Sequence, residues 1–352
     1  MVEWKKLGEI SEIGTGSNNR EDATDNGRYP FYVRSKDVLK IDSYLFDEEA
    51  ILIPGEGGIG DIFHYINGKY GLHQRAYRVH PITGNAKGRY IYYYLFANFK
   101  AYINTKSYKS TAASIRRPML LDFPIAIPSL QEQERIVGIL DTFTASIDNI
   151  KAQIEQRRKQ YEHYRNTLLT FNKDDDSVEW KTLGEVGDIS AGGDVPRNTI
   201  KETNPIENYC FPVYSNGKEN NSLYGYSTSY SIATQAVTIS ARGTIGWHCV
   251  REAYFTPIIR LITVIPDEKI LSAKYLDYAL YVTRIGGDNG GIPQLTVPSI
   301  KNCEIPLPSL QEQQRIVSIL DTFEASITNL EAQLEQRQKQ YEYYREKLLT
   351  FE

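Results

Sequence analysis

The chain has 352 residues, of which 41% are hydrophobic and 24% are charged, and this length and composition predict a globular protein with two or three domains. Three cysteines without a CxxC pair predict neither a disulfide framework nor a structural zinc site. The net charge of −4 argues against histone-like binding of nucleic acid.

Charge and hydropathy limit the remaining classes further. Residues 1–128 carry 17 Lys and Arg against 14 Asp and Glu, whereas residues 172–308 carry 12 against 16. Any DNA affinity must therefore come from a few placed cations or from a basic partner. No apolar run approaches the roughly 20 residues of a membrane span, and Met1–Lys6 lack the apolar stretch of a signal peptide, so we expect a cytoplasmic protein without membrane association.

The sequence consists of two copies of one module. Val2–Ile10 returns as Val178–Val186, and Ser129–Phe171 returns as Ser309–Phe351 with about three-quarters of positions identical. This period is longer than the roughly 50 residues of a solenoid unit. Because the intervening residues differ, we predict four segments: a first variable domain, a long helix, a second variable domain and a second long helix, at residues 1–128, 129–171, 172–308 and 309–352.

The two variable domains share a first pair of similar segments. Tyr29–Ser35 is matched by Phe211–Gly217, and these segments carry Arg34 and Asn216, residue types that form bidentate contacts with guanine or adenine edges. Capping of a turn explains either residue equally well. The candidate DNA-binding residues near these segments are Arg34, Lys36, Ser215 and Asn216.

A glycine-rich segment follows in each half. Gly55, Gly57 and Gly60 match GxGxxG, but a dinucleotide site needs a helix after the loop, and Asp61–Lys69 is typical of a strand running to an Asn-Gly turn. We therefore predict a strand, a tight glycine turn and a returning strand, both here and in Val237–Gly246. Such a loop lies close to a DNA backbone or is purely structural. Its candidate DNA-binding residues are Gly57, Gly58, Arg242, Gly243 and Thr244.

A third pair of segments precedes the long helices. Ser107–Arg117 and Gly286–Thr296 are rich in small and polar residues, which suit a loop lying on a groove or a plain surface loop. Each variable domain also has one predicted helix, around Arg89–Lys106 and Ser272–Ile285, among β-rich segments, which indicates an α+β class. The candidate DNA-binding residues in this pair of segments are Lys109, Ser110, Thr111, Arg116, Arg117, Gln294 and Thr296.

Each repeated C-terminal segment is a predicted long helix with a heptad seam. A Pro and a Ser-x-x-Glu capping box begin each helix, at Ser129 with Glu132 and at Ser309 with Glu312. The seam includes Arg157, Tyr164, Leu168, Arg337, Tyr344 and Leu348. Its twelve principal positions are Leu140, Phe143, Ile147, Ile150, Ile154, Tyr161, Leu320, Phe323, Ile327, Leu330, Leu334 and Tyr341.

The seam composition favours antiparallel pairing of the two helices. Parallel pairing would set Arg157 beside Arg337, whereas antiparallel pairing sets the aliphatic end of each seam against the aromatic end of the other. Separate packing of each helix, for example in a homo-oligomer, is the alternative. About 41 residues at about 1.5 Å each form a rod of about 60 Å. An antiparallel pair joined through the polar link Asn172–Ser177 would separate the variable domains and give the chain a pseudo-twofold axis.

Two variable domains, each followed by "IAIPSLQEQERIVGILDTF" or "IPLPSLQEQQRIVSILDTF", resemble the specificity subunit of type I restriction-modification enzymes over essentially the whole chain. The resemblance implies that each variable domain is a target recognition domain reading one half of a bipartite sequence in double-stranded DNA. It further implies that the helices set the spacer and dock two methyltransferase subunits, with restriction subunits in the full complex. S-adenosylmethionine, ATP and Mg are then expected on the partners, with no cofactor or metal on this chain.

The chain itself is expected to be non-catalytic. The Asn/Asp-Pro-Pro-aromatic motif of the methyltransferase partner has no match, since Asn204-Pro-Ile is the nearest sequence. Pro266–Lys269 only superficially suggests a nuclease, and the histidines show no metal-ligand spacing. Three alternatives remain open: the specificity subunit of a related two-component system, a coiled-coil scaffold with protein-binding heads, and a self-contained nuclease.

Overall fold

The structure is a computed structural model that describes residues 2–106, 114–174, 178–283, 285 and 294–351. The chain divides into two compact units, which we call the first unit (Met1–Ala152 with Glu331–Glu352) and the second unit (Gln153–Leu330). Each unit combines β-sheets with helices, which confirms the predicted α+β class with two sheet-rich domains. Since this division cuts both long helices, it does not test the boundaries predicted at residues 128, 171 and 308.

The first unit is built on a six-stranded sheet of order β2-β7-β5-β6-β3-β4, beside a two-stranded sheet of β1 and β8. Its strands are β1 (Glu3–Lys6), β2 (Ser11–Thr15), β3 (Tyr29–Tyr32), β4 (Val38–Ile41), β5 (Phe46–Pro54), β6 (His64–Leu72), β7 (Ala76–Pro81) and β8 (Pro124–Ile127). Its helices are α1 (Leu7–Ile10), α2 (Gly88–Lys106), α3 (Arg117–Leu121), the first part of α4 (Leu130–Leu169) and the last part of α8 (Leu310–Leu349). The core forms where α2 packs on the sheet, with Tyr90, Tyr93 and Phe99 fully buried.

The second unit has two four-stranded sheets, of order β10-β17-β14-β15 and β11-β13-β12-β16, and a two-stranded sheet of β9 and β18. Its strands are β9 (Glu179–Thr182), β10 (Gly187–Ala191), β11 (Thr199–Ile200), β12 (Phe211–Tyr214), β13 (Leu223–Ser227), β14 (Ala236–Ile239), β15 (His248–Arg251), β16 (Thr256–Pro257), β17 (Ile262–Pro266) and β18 (Glu304–Leu307). Its helices are the last part of α4, α5 (Leu183–Val186), α6 (Ala273–Val282), α7 (Val297–Lys301) and the first part of α8.

The helices predicted around Arg89–Lys106 and Ser272–Ile285 correspond to α2 and α6. The second ends earlier than predicted, because Thr283 takes an extended backbone conformation. Among the described residues, no helix has both the length and the apolar character needed to span a bilayer.

The Asn-Gly turn predicted within Asp61–Lys69 is wrong. Asn67 and Gly68 lie inside β6, where they pair with Glu49 and Glu48 of β5. Gly68 has φ of +134°, far from the value near +60° that the tight hairpin turn requires. The strand continues because Tyr70 and Leu72, beyond this pair, are fully buried.

The repeated N-terminal segment forms the same small sheet in both units. In the first unit β1 pairs antiparallel with β8, from Glu3 opposite Ile127, and in the second unit β9 pairs antiparallel with β18, from Glu179 opposite Leu307. Strands β8 and β18 lead directly into the long helices. The two ends of each β-rich domain therefore meet, which explains why both are repeated.

The second glutamine of the repeated PSLQEQ segment joins each long helix to its β-rich domain. Gln133 is fully buried. Its Oε1 accepts from the backbone N–H of Lys87 at 2.9 Å, and its Nε2 donates to the carbonyls of Asn85 and Pro128 at 2.8 and 2.9 Å. The first turn of α4 is therefore attached to the residues that precede α2.

Gln313 makes the same three bonds in the second unit. It accepts from the N–H of Ser272 at 3.0 Å and donates to the carbonyls of Ile270 and Pro308 at 2.7 and 2.9 Å. Like Gln133, it is fully buried. A buried amide with all these partners is a stabilising contact whose loss would leave backbone groups unpaired.

One of the two hydrogen bonds predicted for each capping box is confirmed, in both units. Ser129 Oγ accepts from the N–H of Glu132, and Ser309 Oγ accepts from that of Glu312, both at 3.3 Å. The Glu132 carboxylate, predicted to accept from the N-cap amide, accepts from Arg135 Nε and Nη2 at 2.8 and 2.7 Å. A bidentate Arg three residues away gives both carboxylate oxygens a charged donor.

A tyrosine and a cation hold the fourth turn of each long helix. Tyr93 donates to Asp141 Oδ1 at 2.5 Å, and Arg89 Nη2 lies 2.7 Å from the same oxygen. Burial, and then the hydrogen bond to Asp141, raise the pKa of Tyr93. In the second unit Tyr278 donates to Asp321 at 2.6 Å, with Lys274 3.3 Å away. The domains use different cations for the same aspartate position.

Contacts inside each unit show that the helix segments pair antiparallel, as predicted. In the first unit Phe143 stacks on Tyr344 at 5.3 Å, and in the second unit Tyr164 stacks on Phe323 at 5.2 Å. These are equivalent positions of the repeat, and each pairs an early position of one helix with a late position of the other.

The two seam arginines lie against aromatic rings in the same pairing. Arg337 lies over Phe143 at 5.7 Å in the first unit, and Arg157 lies over Phe323 at 5.6 Å in the second. A guanidinium above a ring is attracted to its face. The seam arginines thus have favourable partners in both units.

Burial follows the predicted seam along both helices. Leu140, Ile147, Ile154 and Leu320 are buried. The other principal seam positions are half-buried: Phe143, Ile150, Tyr161, Phe323, Ile327, Leu330, Leu334 and Tyr341. The end of α8 packs on the first unit, where Asn98 Nδ2 donates to the Leu349 carbonyl at 3.3 Å and Phe351 stacks on Tyr94 at 6.3 Å.

Replacement of the buried glutamine is expected to destabilise the chain. Gln133→Ala removes three hydrogen bonds and leaves buried backbone groups unpaired, so we expect a loss of about 3 kcal/mol in the free energy of unfolding. Urea denaturation measures it. The matched control is Gln131→Ala, an exposed residue two positions away on the same helix, which should change stability by less than about 0.5 kcal/mol. Equal effects of the two substitutions would contradict the structural role of Gln133.

The tyrosine bond to the helix gives a second prediction. Tyr93→Phe removes the donor to the charged Asp141, and we expect a loss of about 1.5 to 3 kcal/mol in the free energy of unfolding. Tyr343→Phe serves as the control because Tyr343 lies exposed on the same unit and should have little effect. Thermal denaturation of both variants tests the difference. A stability for Tyr93→Phe equal to that of the control would argue against this anchor.

Candidate nucleic-acid interface

Two glycine loops that share two positive-φ glycines connect equivalent strands. The first lies between β5 and β6 and the second between β14 and β15. Gly57 and Gly60 have φ of +71° and +74°, and Gly243 and Gly246 have +70° and +79°, values that strongly favour glycine. The structure therefore contains the predicted strand, tight glycine turn and returning strand in both units. Because a strand follows the first loop, a dinucleotide-binding turn is excluded there.

Backbone hydrogen bonds fix how the loops correspond. The N–H of Asp61 donates to the Gly58 carbonyl, and that of Trp247 donates to the Thr244 carbonyl, both at 3.0 Å. Residues 55–60 thus match residues 241–246. The second of these six matched positions carries Glu56 in the first loop and Arg242 in the second.

The segments before the long helices approach these loops. The N–H of Ile115 donates to the Gly55 carbonyl at 2.9 Å, and that of Leu295 donates to the Ala241 carbonyl at 3.1 Å. Candidate residues on either side of this attachment are therefore brought near the glycine loops. Of the predicted set, Arg116, Arg117 and Gln294 are exposed. Lys109, Ser110 and Thr111 lie outside the described residues.

In the first unit, Glu56 lies between two arginines. Arg34 Nη1 lies 2.9 Å from Glu56 Oε2, and Arg75 Nη1 lies 3.1 Å from the same oxygen. Hydrogen bonds from Arg75 and then Arg34 lower the pKa of Glu56, so the carboxylate stays ionised. The sequence predicted Arg34 but missed Glu56 and Arg75. Aligning the two glycine loops with each other would have singled out Glu56.

A small open cavity of about 220 Å³ lies beside this ion pair. It is lined by Arg20, Val33, Arg34, Ser35, Glu56, Gly57 and His73. His73 Nδ1 accepts from the N–H of Arg75 at 3.0 Å. Burial, followed by the charges of Arg34 and Arg75, lowers the pKa of His73, which favours a neutral ring near neutral pH. The charge at the cavity wall is carried by arginines and one glutamate.

In the second unit, the arginine of the glycine loop is held by a glutamine side chain. Arg242 Nε and Nη2 donate to Gln294 Oε1 at 3.2 and 3.0 Å. This contact joins two of the predicted candidate residues. Both side chains are exposed, so the arginine is oriented without being removed from solvent.

Asn216 lies beside the second glycine loop, where its side chain binds backbone groups. Its Oδ1 accepts from the N–H of Ala241 at 2.8 Å, and its Nδ2 donates to the Ile259 carbonyl at 2.7 Å. Both ends of the amide are thus used by backbone groups, and a contact with an adenine edge would have to replace them. The direct base contact of Asn216 stays a prediction, while the turn-capping alternative matches these bonds.

Several further candidates also have local partners. Thr296 Oγ1 caps α7 by accepting from the N–H of Ser299 at 3.3 Å. Thr244 Oγ1 donates to Ser240 Oγ at 3.2 Å, and Ser215 Oγ donates to the Asn216 carbonyl at 3.4 Å. Lys36 is exposed at the rim of a second cavity, and Gly58 and Gly243 have positive φ. DNA contacts by these residues stay predictions.

One buried histidine pair lies apart from the loops. His248 Nδ1 lies 2.8 Å from Asp277 Oδ1, and its ring meets Tyr281 edge-on at 4.5 Å. The pair connects β15 to α6 inside the second unit. Among the described residues, no group of three or more His, Cys, Asp or Glu side chains is arranged to hold a metal ion.

Comparison with known families places this arrangement in context. The family model of the type I restriction modification DNA specificity domain matches residues 1–157 and 176–339. A putative type I restriction enzyme specificity subunit from Haemophilus influenzae is 31% identical over 99% of this chain and 96% of its own length. The EcoR124I/EcoR124II specificity subunit from Escherichia coli is 32% identical over 75% of this chain and 70% of its own length.

Solved structures show the same fold. The S subunit of a type I restriction-modification system from M. genitalium superposes with a TM-score of 0.69 at 17% identity, covering 100% of this chain and 97% of that one. The family match extends over both halves of the chain and coincides with the duplicated frame described above. The chain belongs to the family of type I restriction-modification specificity subunits.

Proposed function

We propose that this chain is the DNA-recognition subunit of a type I restriction-modification complex, in which each β-rich domain reads one half of a bipartite target in double-stranded DNA. The observation that carries the proposal is the contrast between the two units. Their helix anchors are the same at Gln133 and Gln313, whereas the exposed loop side chains differ at Glu56 and Arg242. A shared frame with unlike tips suits a protein that must recognise two unlike half-sites.

The long helices are proposed to set the spacer between the half-sites and to dock two methyltransferase subunits. Outside the seam, most side chains of α4 and α8 are exposed and polar, and about three-quarters of the positions in the two helices are identical. Two equivalent surfaces would accept two copies of one partner. A solved structure that concerns complex assembly of the type I restriction-modification system has the same fold, at a TM-score of 0.60.

The chemistry is assigned to partner subunits. The chain is proposed to be non-catalytic, with methyl transfer from S-adenosylmethionine on the methyltransferase subunits and ATP- and Mg-dependent steps on restriction subunits. The arginines near the loops would contribute part of the phosphate neutralisation, and the partners would contribute the rest, since this chain carries a net charge of −4.

Methylome sequencing tests this function directly. Cells expressing the chain with its neighbouring methyltransferase are expected to methylate a motif of two specific parts separated by a fixed non-specific spacer. Cells with the methyltransferase alone provide the control and should lack this motif. A contiguous single-part motif would contradict the reading of two half-sites, and cleavage by the purified chain with a metal ion would contradict the assignment of catalysis to partners.

Shortening the helices tests their role in spacing. Removing residues 146–152 together with 335–341 deletes one heptad from each helix while preserving the seam pattern and the antiparallel register of the first unit. A loss of about 10 Å of helix, or about three base pairs of duplex at about 3.4 Å each, should shorten the methylated spacer or abolish methylation.

The deletion of residues 146–152 alone is the matched control. It shifts one helix against the other by a heptad and should abolish methylation without creating a new spacer. Methylation by the double deletion with an unchanged spacer would show that the helices do not set the distance.

A further inference from the structure

We propose that Glu56 determines specificity in the first half-site by accepting a hydrogen bond from the exocyclic amino group of a cytosine, whereas Arg242, at the same position of the second loop, selects guanine in the other half-site. The inference rests on the proposed function, because it requires that the β-rich domains read DNA. It adds the chemical class of base that each loop recognises.

The loops support this comparison because the same backbone hydrogen bonds flank the position of Glu56 and Arg242. The same carbonyl-to-amide bonds attach Gly55 to Ile115 and Ala241 to Leu295, and both following glycines have φ near +70°. Glu56 and Arg242 therefore leave equivalent backbone positions. A difference in side-chain charge is then the main difference that the two loops present at this position.

Glu56 has free acceptor capacity at an exposed position. Its side chain is 42% exposed. Arg34 at 2.9 Å and Arg75 at 3.1 Å both donate to Oε2, whereas Oε1 receives only a longer contact from Arg75 at 3.4 Å. An ionised carboxylate has about four acceptor positions. Oε1 is therefore able to accept from a further donor while the arginines hold the group in place.

The flanking arginines also remove the main obstacle to a carboxylate near DNA. A lone glutamate would be repelled by the phosphates, but Glu56 with Arg34 and Arg75 forms a cluster of net charge +1. The low pKa of Glu56, caused by hydrogen bonds from these arginines, keeps it an acceptor at neutral pH. The cluster therefore presents a fixed acceptor without an unfavourable net charge.

The chemistry of the major groove selects cytosine as the partner. Phosphate oxygens only accept, so they cannot bind a carboxylate. The amino donors in the groove belong to cytosine N4 and adenine N6, and the adenine donor lies beside the N7 acceptor, which repels a carboxylate. Cytosine N4 is the donor without that neighbour on its own base.

Arg242 has the opposite chemistry. Its guanidinium has only donors, of which Nε and Nη2 point to Gln294 Oε1. The remaining N–H groups match the O6 and N7 acceptors of guanine. The two loops therefore differ in the type of base edge that each can bind, in agreement with unlike half-sites.

Methylome sequencing of substituted chains, each expressed with the neighbouring methyltransferase, tests the inference. Glu56→Gln is expected to lose preference for cytosine at one position of one half-site by at least about fivefold, since one good base contact is worth about that much or more. Arg242→Gln should lose preference for guanine at one position of the other half-site. Asp47→Asn, an exposed carboxylate on β5, the strand that leads into the loop of Glu56, is the matched control and should leave the motif unchanged.

The results separate this inference from the proposed function. If the unsubstituted chain methylates a bipartite motif and Glu56→Gln leaves every position unchanged, the inference is overturned while the proposed function stands. Loss of all methylation by Glu56→Gln with a normal Asp47→Asn would assign Glu56 a role in the fold and also overturn it. Loss of cytosine preference in the half-site affected by Arg242→Gln would contradict the assignment of one loop to each half-site.

A duplex binding assay with the complete methyltransferase complex distinguishes direct reading from orientation of Arg34. Replacing the guanine paired to the selected cytosine by 7-deazaguanine removes its N7 acceptor but leaves cytosine N4 in place. Affinity is expected to stay within about twofold if Glu56 reads cytosine. A loss of tenfold or more would show that an arginine reads the paired guanine and that Glu56 only positions it, which overturns the inference.

Discussion

The organisation of the chain depends on one buried amide in each half. Gln133 and Gln313 satisfy three backbone groups each, at the first turn of a long helix. An amide side chain is able to do this because it has a donor and an acceptor at one end, and burial makes the loss of either costly. Strands β8 and β18 lie just before these glutamines in sequence. They pair with β1 and β9, and so bring the two ends of each β-rich domain together.

The glycine loops follow a different rule, in which part of the backbone is fixed and the side chains vary. Positive φ at Gly57 and Gly243 sets the shape of each turn. The residue before each of these glycines is free to carry either charge because it is exposed and held by partners from neighbouring segments: two arginines for Glu56 and Gln294 for Arg242. Shape and chemistry are thus specified by different residues of one loop.

Sequence reasoning identified the features that are local or repeated. The heptad seam, the antiparallel pairing, the glycine hairpins and the helix start at Ser129 all depend on residues close in sequence or duplicated in the chain. The partners of Gln133 were not predictable, because Asn85 and Lys87 contribute backbone groups that have no sequence signature.

The errors have a similar origin. The Asn67-Gly68 turn was wrong because sheet pairing and the burial of Tyr70 outweighed the local turn propensity. The Glu56 cluster was missed because Arg34 and Arg75 approach it from segments about 20 residues away on either side. Contacts that depend on the sheet topology are visible only in three dimensions.

The use of main-chain groups at the anchor has an evolutionary consequence. Because Gln133 and Gln313 bind carbonyls and amides of the β-rich domain, most of that domain's side chains can change without weakening this attachment. A gene segment encoding a different domain between the two repeated ends would therefore join the same helix after recombination. The architecture permits a different β-rich domain to be acquired by exchange of whole coding blocks, in addition to change by single substitutions.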